Sequence, residues 1–325
     1  MTTGTGAMLT ALSPGRLGRH SFVVAAFAAL VLFVVNAALQ PNLVEGAVLI
    51  SNLKSVLPLL LVAIGQTYVI LNSDIDLSIG AVISLVNVVT VSVIGLAGGG
   101  AGAIVLGLLA GVTTGIAAGA VNGVFVGLLR FQPIVTTFAT GIVFGGLALW
   151  IMPQAGHPVP ALYWRSYAGS LLGVPVVVWI LLLALLWIGG FHRTIWHRHL
   201  LATGGRIQAA FQSGVPVVRC RILGYALCGA FGALAAFCLT GDTATGDPLI
   251  GQAFTLTSIS AVVLGGTALS GGLGGALGSS FGAAILVLIN NIIFFANLPF
   301  EYQNLVQGLI VLAALALGVF VARRH

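Results

Sequence analysis

Two carboxylates, Asp74 and Asp76, stand within residues 65–80 (GQTYVILNSDIDLSIG), between apolar runs long enough to enter a bilayer. A charge at the bilayer centre costs roughly 2.5–3.5 kcal/mol even on lenient insertion scales. It survives only where the backbone is broken and the acids face protein or water. The stretch therefore predicts a discontinuous membrane helix, with the break carried by Asn72, Asp74, Asp76, Ser78 and Gly80.

Composition sets the solvent. Of 325 residues 59% are hydrophobic and 6% charged, and mean hydropathy is +1.15. Ordinary soluble domains carry roughly 25% charged residues, so the excess apolar surface must be solvated by lipid. The class expected is all-α, a polytopic membrane helical bundle; a β-barrel would alternate in short segments. The net charge of +6 is compatible with nucleic acid as a partner, but the cations fall in short loops on one side of the membrane, so a lipid bilayer and no nucleic acid is expected. Cys220, Cys228 and Cys238 have no metal-ligand spacing and read as packing residues. The first apolar run, 22–39, has no A-x-A-like exit and is expected to remain as a span.

In chain order, spans are expected at 22–39, 56–71, 77–97, 102–129, 134–151, 174–190, 222–240, 254–269, 276–296 and 305–321. These make about ten spans, with a cytoplasmic tail at 1–21, a transmembrane domain at 22–322 and a cytoplasmic C-terminus at 323–325. Both termini are then cytoplasmic. Of the 12 Lys/Arg, only Lys54 and Arg165 fall outside, as the positive-inside rule requires. The run 56–71 is short of the roughly 20 residues a crossing needs, which places the break within the membrane. The loop 153–173 carries Tyr163, Trp164 and Tyr167, suited to the interface. Gly107, Gly111, Gly115, Gly119, Gly123 and Gly127 recur every fourth residue and predict a groove for close helix packing.

Nothing in the chain cradles a nucleotide. Lys54 is its single lysine and lacks a preceding glycine-rich loop, and the glycines at 271–278 do not satisfy GxGxxG. His192, His197 and His199 near Trp196 read as a basic interfacial anchor. Asp74 and Asp76 have two readings: an ion or proton relay, or caps of the following helix, where free N–H groups and the helix dipole favour anions. The cap is favoured, since no charged partner is evident at matching depth, and Asn72, Ser73 and Ser78 support it. Residues 192–221 carry five arginines; 203–205 open a short helix over 206–213, which Gly214 and Pro216 close.

Several ordered motifs carry a resemblance. Asp74-Ile75-Asp76-Leu77-Ser78-Ile79-Gly80 resembles the "GIDLSVG" signature of the ribose-type permeases of ABC importers. Residues 261–272 are similar to that family's "AVVLGGTSLxGG", Gln132-Pro133 to its "QPFIAT", and 202–215 to its "AxGGNxxAAxxSGI" loop; Asn290-Asn291 fall at its paired asparagines. The similarity covers about 45–320. It implies a pair of permeases forming one pathway in a bacterial inner membrane. It also implies cytoplasmic ATPase subunits that bind ATP and Mg, an extracytoplasmic solute-binding protein, and monosaccharide or polyol cargo. No cofactor, metal or catalysis is implied in the chain itself. Gly204, Gly205, Ala209, Ala210, Ser213 and Gly214 carry over as the ATPase-coupling segment; Arg206, Ile207, Gln208 and Phe211 depart from the family pattern, as does Asp74, which stands where the signature has Gly.

A neutral sugar needs hydroxyl-matching groups with aromatic walls, and the candidates for its path are Gln66, Asn87, Asn122, Asn290, Asn291 and Phe294. The same amides also serve as interhelical glue. The alternatives are an ion-coupled secondary transporter using Asp74 and Asp76, and an uncoupled channel-like or structural protein.

Overall fold

The computed structural model describes residues 21–296 together with Tyr302, Leu305, Val306, Gly308, Leu309 and Leu312. Among the described residues the chain forms α1 (Ser21–Leu39), α2 (Gly46–Ile70), α3 (Ile79–Leu96), α4 (Ala101–Gly127), α5 (Pro133–Ile151) and α6 (Ala161–Ala168). There follow α7 (Val176–His192), α8 (Ile195–Gly205), α9 (Ile207–Gln212), α10 (Val217–Thr243), α11 (Phe254–Leu264) and α12 (Ala276–Phe295). Two-residue antiparallel ribbons pair His157–Pro158 with Thr245–Gly246 and Ser170–Leu171 with Val174–Pro175. Among the described residues seven helices (α1 to α5, α10 and α12) are long and apolar enough to cross a membrane, and α7 with α8 makes a further pair bent by 72°. The chain is a multi-pass helical membrane protein.

Several expected boundaries move. Helix α2 begins at Gly46, so most of the loop expected over 40–54 is helical. At 25 residues it is about 37 Å long, enough for a full crossing. The break therefore follows a complete span instead of cutting one short. Lys54 rides on this helix and lies 5.8 Å from the Tyr167 ring centroid. Helix α10 starts at Val217, five residues before the expected span, and so takes in Arg219 and Arg221. The span expected over 254–269 is the 11-residue α11, too short to cross alone. The irregular segment ahead of it runs along α3: Asp247 N donates to Asn87 Oδ1 (2.7 Å) and Gly251 N to Ser84 Oγ (3.0 Å). Side chains of α3 thus satisfy backbone groups that lipid could not. Of the span expected over 305–321 only five residues are described; the tails at 1–20 and 323–325 lie outside the described residues.

The core is built on backbone-level contact. Helix α10 lies in the glycine groove of α4: a Cβ on Gly119 would stand 2.1 Å from Tyr225 O, and one on Gly229 1.9 Å from Gly115 O. Small residues let two helices approach this closely, and dispersion then replaces the hydrophobic drive that lipid removes. Helix α2 is buried continuously from Leu57 to its end at Ile70, between α10, α12 and α11. The loop expected over 153–173 folds into α6, whose Tyr163 and Tyr167 are buried against α10, with Tyr163 Oη donating to Phe237 O (3.0 Å).

Candidate functional site

The chain leaves α2 through a tightened turn. Asn72 N and Ser73 N donate to Val69 O and Ile70 O, and Ser73 adopts a left-handed φ of 63°. Helix α3 restarts at Ile79. Asp76 Oδ1 accepts from Ser78 N (2.8 Å) and Ser78 Oγ (2.6 Å). That two-residue reach is an Asx turn, which diverts the backbone before the helix begins. Asp76 therefore turns the chain into α3, but the expected cap is not made: Ser78 is the N-cap residue, and among the described residues no side chain bonds the first N–H groups of the helix. Gly80 lies so close to Gly251 O that an added Cβ would be 2.6 Å away, bringing the irregular segment onto the start of α3.

Asp74 does something else. Its carboxylate is fully buried and lies 3.2 Å from Arg221 Nη2, whose side chain is 17% exposed. The expectation that no charged partner exists at this depth is corrected. The sequence places Arg221 at the end of a polar loop, but the early start of α10 sets it on that helix's second turn, facing the break. Asn72 and Ser73 do not cap either. Asn72 Nδ2 donates to Tyr68 O and Cys220 O (3.2 Å each). Ser73 Oγ donates to Gly204 O (2.8 Å) and contacts Ser270 O. Gly272 N donates to Leu71 O (3.1 Å).

These bonds draw three segments to one place: the break, the end of α8, and the glycine turn after α11. The contact is backbone on backbone, since a Cβ on Gly204 would stand 1.8 Å from Leu71 O and one on Gly272 2.7 Å from Gly205 Cα. Residues 203–205, expected to open a loop, form the last turn of α8 instead. Arg206 links α8 to α9, and Gly214, with φ of 79°, follows α9. On α9, Ala210 is buried, while Ile207, Ala209 and Phe211 are exposed, Phe211 by 73%. Ser213 and Gly214 are exposed as well. The helix thus projects an apolar knob from the arginine-bearing end. On α8, His197 is not a basic anchor. It is buried, with the His192 ring 4.5 Å away, and does not face the interface.

The six residues considered for a sugar path are dispersed. Gln66, Asn87 and Asn122 have no exposed surface. Gln66 Nε2 donates to Asp76 O (3.3 Å), Asn87 Nδ2 to Thr240 Oγ1 (2.6 Å), and Asn122 Nδ2 to Ser78 Oγ (2.7 Å). Asn291 Nδ2 donates to Asn52 Oδ1 (3.0 Å), Asn290 is half-buried, and Phe294 is exposed beside Phe295. In this structure Gln66, Asn87 and Asn122 hold the break and the irregular segment, and Asn291 joins α12 to α2. Arg221 and Thr137, whose Oγ1 accepts from Leu77 N (3.0 Å), belong to the site and carried no signal in the sequence.

A polytopic helical bundle whose broken helix is bonded to a projecting, arginine-flanked segment defines a membrane permease. The comparisons narrow the class. Residues 48–315 match the family model described as branched-chain amino acid transport system / permease component. The chain is 34% identical to the ribose import permease protein RbsC of Bacillus subtilis (strain 168), over 88% of this chain and 89% of that one. It is 32% identical to the L-arabinose transport system permease protein AraH of Escherichia coli (strain K12), over 96% and 94%. It is 30% identical to the autoinducer 2 import system permease protein LsrC of Escherichia coli O157:H7, over 90% and 85%. No solved structure matches it. The chain belongs to the permease family of ribose-type ABC importers.

Proposed function

We propose that this chain is the translocation subunit of an ATP-driven importer of a monosaccharide or closely related small polyol in a bacterial inner membrane. A cytoplasmic ATPase docks on α9, binds ATP and Mg, and supplies the energy. A second permease copy or paralogue completes the pathway, and an extracytoplasmic binding protein delivers the solute at the opposite end. The relatives' named cargoes, ribose, L-arabinose and autoinducer 2, motivate the substrate class.

One observation carries the coupling. Ser73 is bonded to Gly204 before α9, while Asn72 and Asp74 engage Cys220 and Arg221 after it. Both flanks of the projecting helix are therefore tied to the broken membrane helix. A displacement of α9 by the ATPase cannot leave the break where it was. The ion-coupled alternative needs a carboxylate free to exchange a cation, and here Asp74 is committed to Arg221 and Asp76 to Ser78.

The test is reconstitution with the partner ATPase and binding protein. Replacing buried Ala210 with Phe is expected to abolish stimulation of ATP hydrolysis by solute-loaded binding protein, with the permease still inserted. Uptake by the purified permease alone, against a gradient and collapsed by an uncoupler, would instead establish the ion-coupled reading.

A further inference from the structure

Between the C-terminal turns of α4 and the N-terminal turns of α5 lies a groove of about 390 Å³, lined by Phe125, Phe131, Gln132, Thr136 and Thr140 among others. Its size falls within the roughly 300–1,000 Å³ typical of small-molecule sites. Val135 and Ala139 complete the lining, which is mostly apolar and carries no charged side chain. The Phe125 and Phe131 rings are nearly parallel, with an interplanar angle of 9° and centroids 6.0 Å apart. The polar groups are oriented from behind. Thr136 Oγ1 donates to Gln132 O (2.8 Å). Thr140 Oγ1 donates to Asn122 Oδ1 (2.6 Å), Asn122 Nδ2 to Ser78 Oγ (2.7 Å), and Ser78 Oγ to Asp76 Oδ1 (2.6 Å).

The chain of donors runs inward from the groove to the buried carboxylate. Each threonine hydroxyl has one hydrogen, which Thr140 gives inward to Asn122 and Thr136 gives to the Gln132 carbonyl of its own helix. What Thr136 and Thr140 have left for the groove is lone pairs. Gln132, exposed at the rim, adds an amide with both donors and an acceptor. Two fixed acceptors, one amide and a pair of aromatic rings, without charge, match an uncharged polyhydroxylated ring: its hydroxyls donate to the threonines and its C–H face lies on a phenyl face.

We propose that this groove is a sugar-contacting section of the translocation path, with Thr136 and Thr140 accepting hydrogen bonds from the passing solute. The assignment rests on the importer reading above and places that reading's substrate at named residues. The Asp76–Ser78–Asn122 chain then acts twice, because the bonds that turn the backbone into α3 also hold Thr140 in its accepting orientation. A shift of the break would release that orientation, linking the coupling segment to the affinity of the path.

The experiment uses the assembled transporter in membrane vesicles. The native cysteines are all buried and leave a low labelling background. Thr136→Cys and Thr140→Cys are exposed to a membrane-impermeant methanethiosulfonate, with Leu109→Cys, on an exposed apolar position of α4, as the lipid-facing control. The groove cysteines are expected to react at least about tenfold faster than the control, because the reactive thiolate forms only in water. Whichever of D-ribose, L-arabinose or D-glucose the wild-type vesicles take up is expected to slow that labelling. Thr140→Val is expected to raise the uptake KM about fivefold, the effect of one neutral hydrogen bond. Thr140→Ser should restore KM. Labelling no faster than at Leu109→Cys makes the groove a lipid face and overturns the proposal. Fast labelling that an imported sugar does not slow overturns the sugar contact. Wild-type vesicles that take up none of the three sugars overturn the substrate class of the importer reading and the ligand assigned here, while labelling still decides whether the groove holds water.

Discussion

Asp74 and Asp76 are two residues apart and have different roles. Asp76 accepts from its own neighbour and shapes the backbone; Asp74 meets a cation 147 residues further along the chain. Removing one member of a buried pair leaves an uncompensated charge, costing about 3–5 kcal/mol, whereas replacing both by apolar groups is often neutral. Asp74→Asn is therefore expected to lower the melting temperature in detergent sharply, and Asp74→Leu combined with Arg221→Met to recover most of the loss. A double mutant as unstable as the single one would sink the ion pair as the cause. At Gly204 the limit is space: a methyl group would meet Leu71 O at 1.8 Å. Gly204→Ala should cost about 1–3 kcal/mol by forced separation of backbones, read as a lower thermal midpoint.

At the scale of elements, the informative cases are the irregular ones. Residues 244–253 descend alongside α3 without helical bonds, and Asn87 compensates by donating to Thr240 Oγ1 and accepting from Asp247 N. Asn87→Leu preserves bulk but strands that amide, at about 1–3 kcal/mol. The expected signature is faster hydrogen exchange confined to 244–253. Helix α9 makes the opposite prediction. Phe211 is largely exposed, so Phe211→Asp should leave the melting temperature unchanged while ATPase docking is lost in a detergent pull-down. A fall in stability without a loss of docking would remove α9 from the coupling role.

For the whole molecule, the charge asymmetry predicts sidedness: cysteines at Arg198 and Arg165 should label from opposite faces of the membrane, Arg198 from the cytoplasm. Labelling from one face would overturn the assigned orientation. Much of this architecture is legible without coordinates. Apolar runs of membrane length, the four-residue glycine repeat of α4 and the acid-bearing break each follow from local rules about solvent, helical period and turn chemistry. Helix ends were less legible: Lys54 and Asn52 look like loop residues, yet a helix end near the interface tolerates them. Least legible were the partners. That Asp74 meets Arg221, that Ser73 meets Gly204, and that Gln66, Asn87 and Asn122 face inward depend on how α2, α8 and α10 pack, which no local pattern encodes. The amino-acid order alone determined the solvent, the helices and the location of the break, because these depend on a residue's neighbours in the chain. Only the tertiary structure decided which buried polar group answers which, because in a medium without water that choice is made by whatever lies within hydrogen-bonding reach.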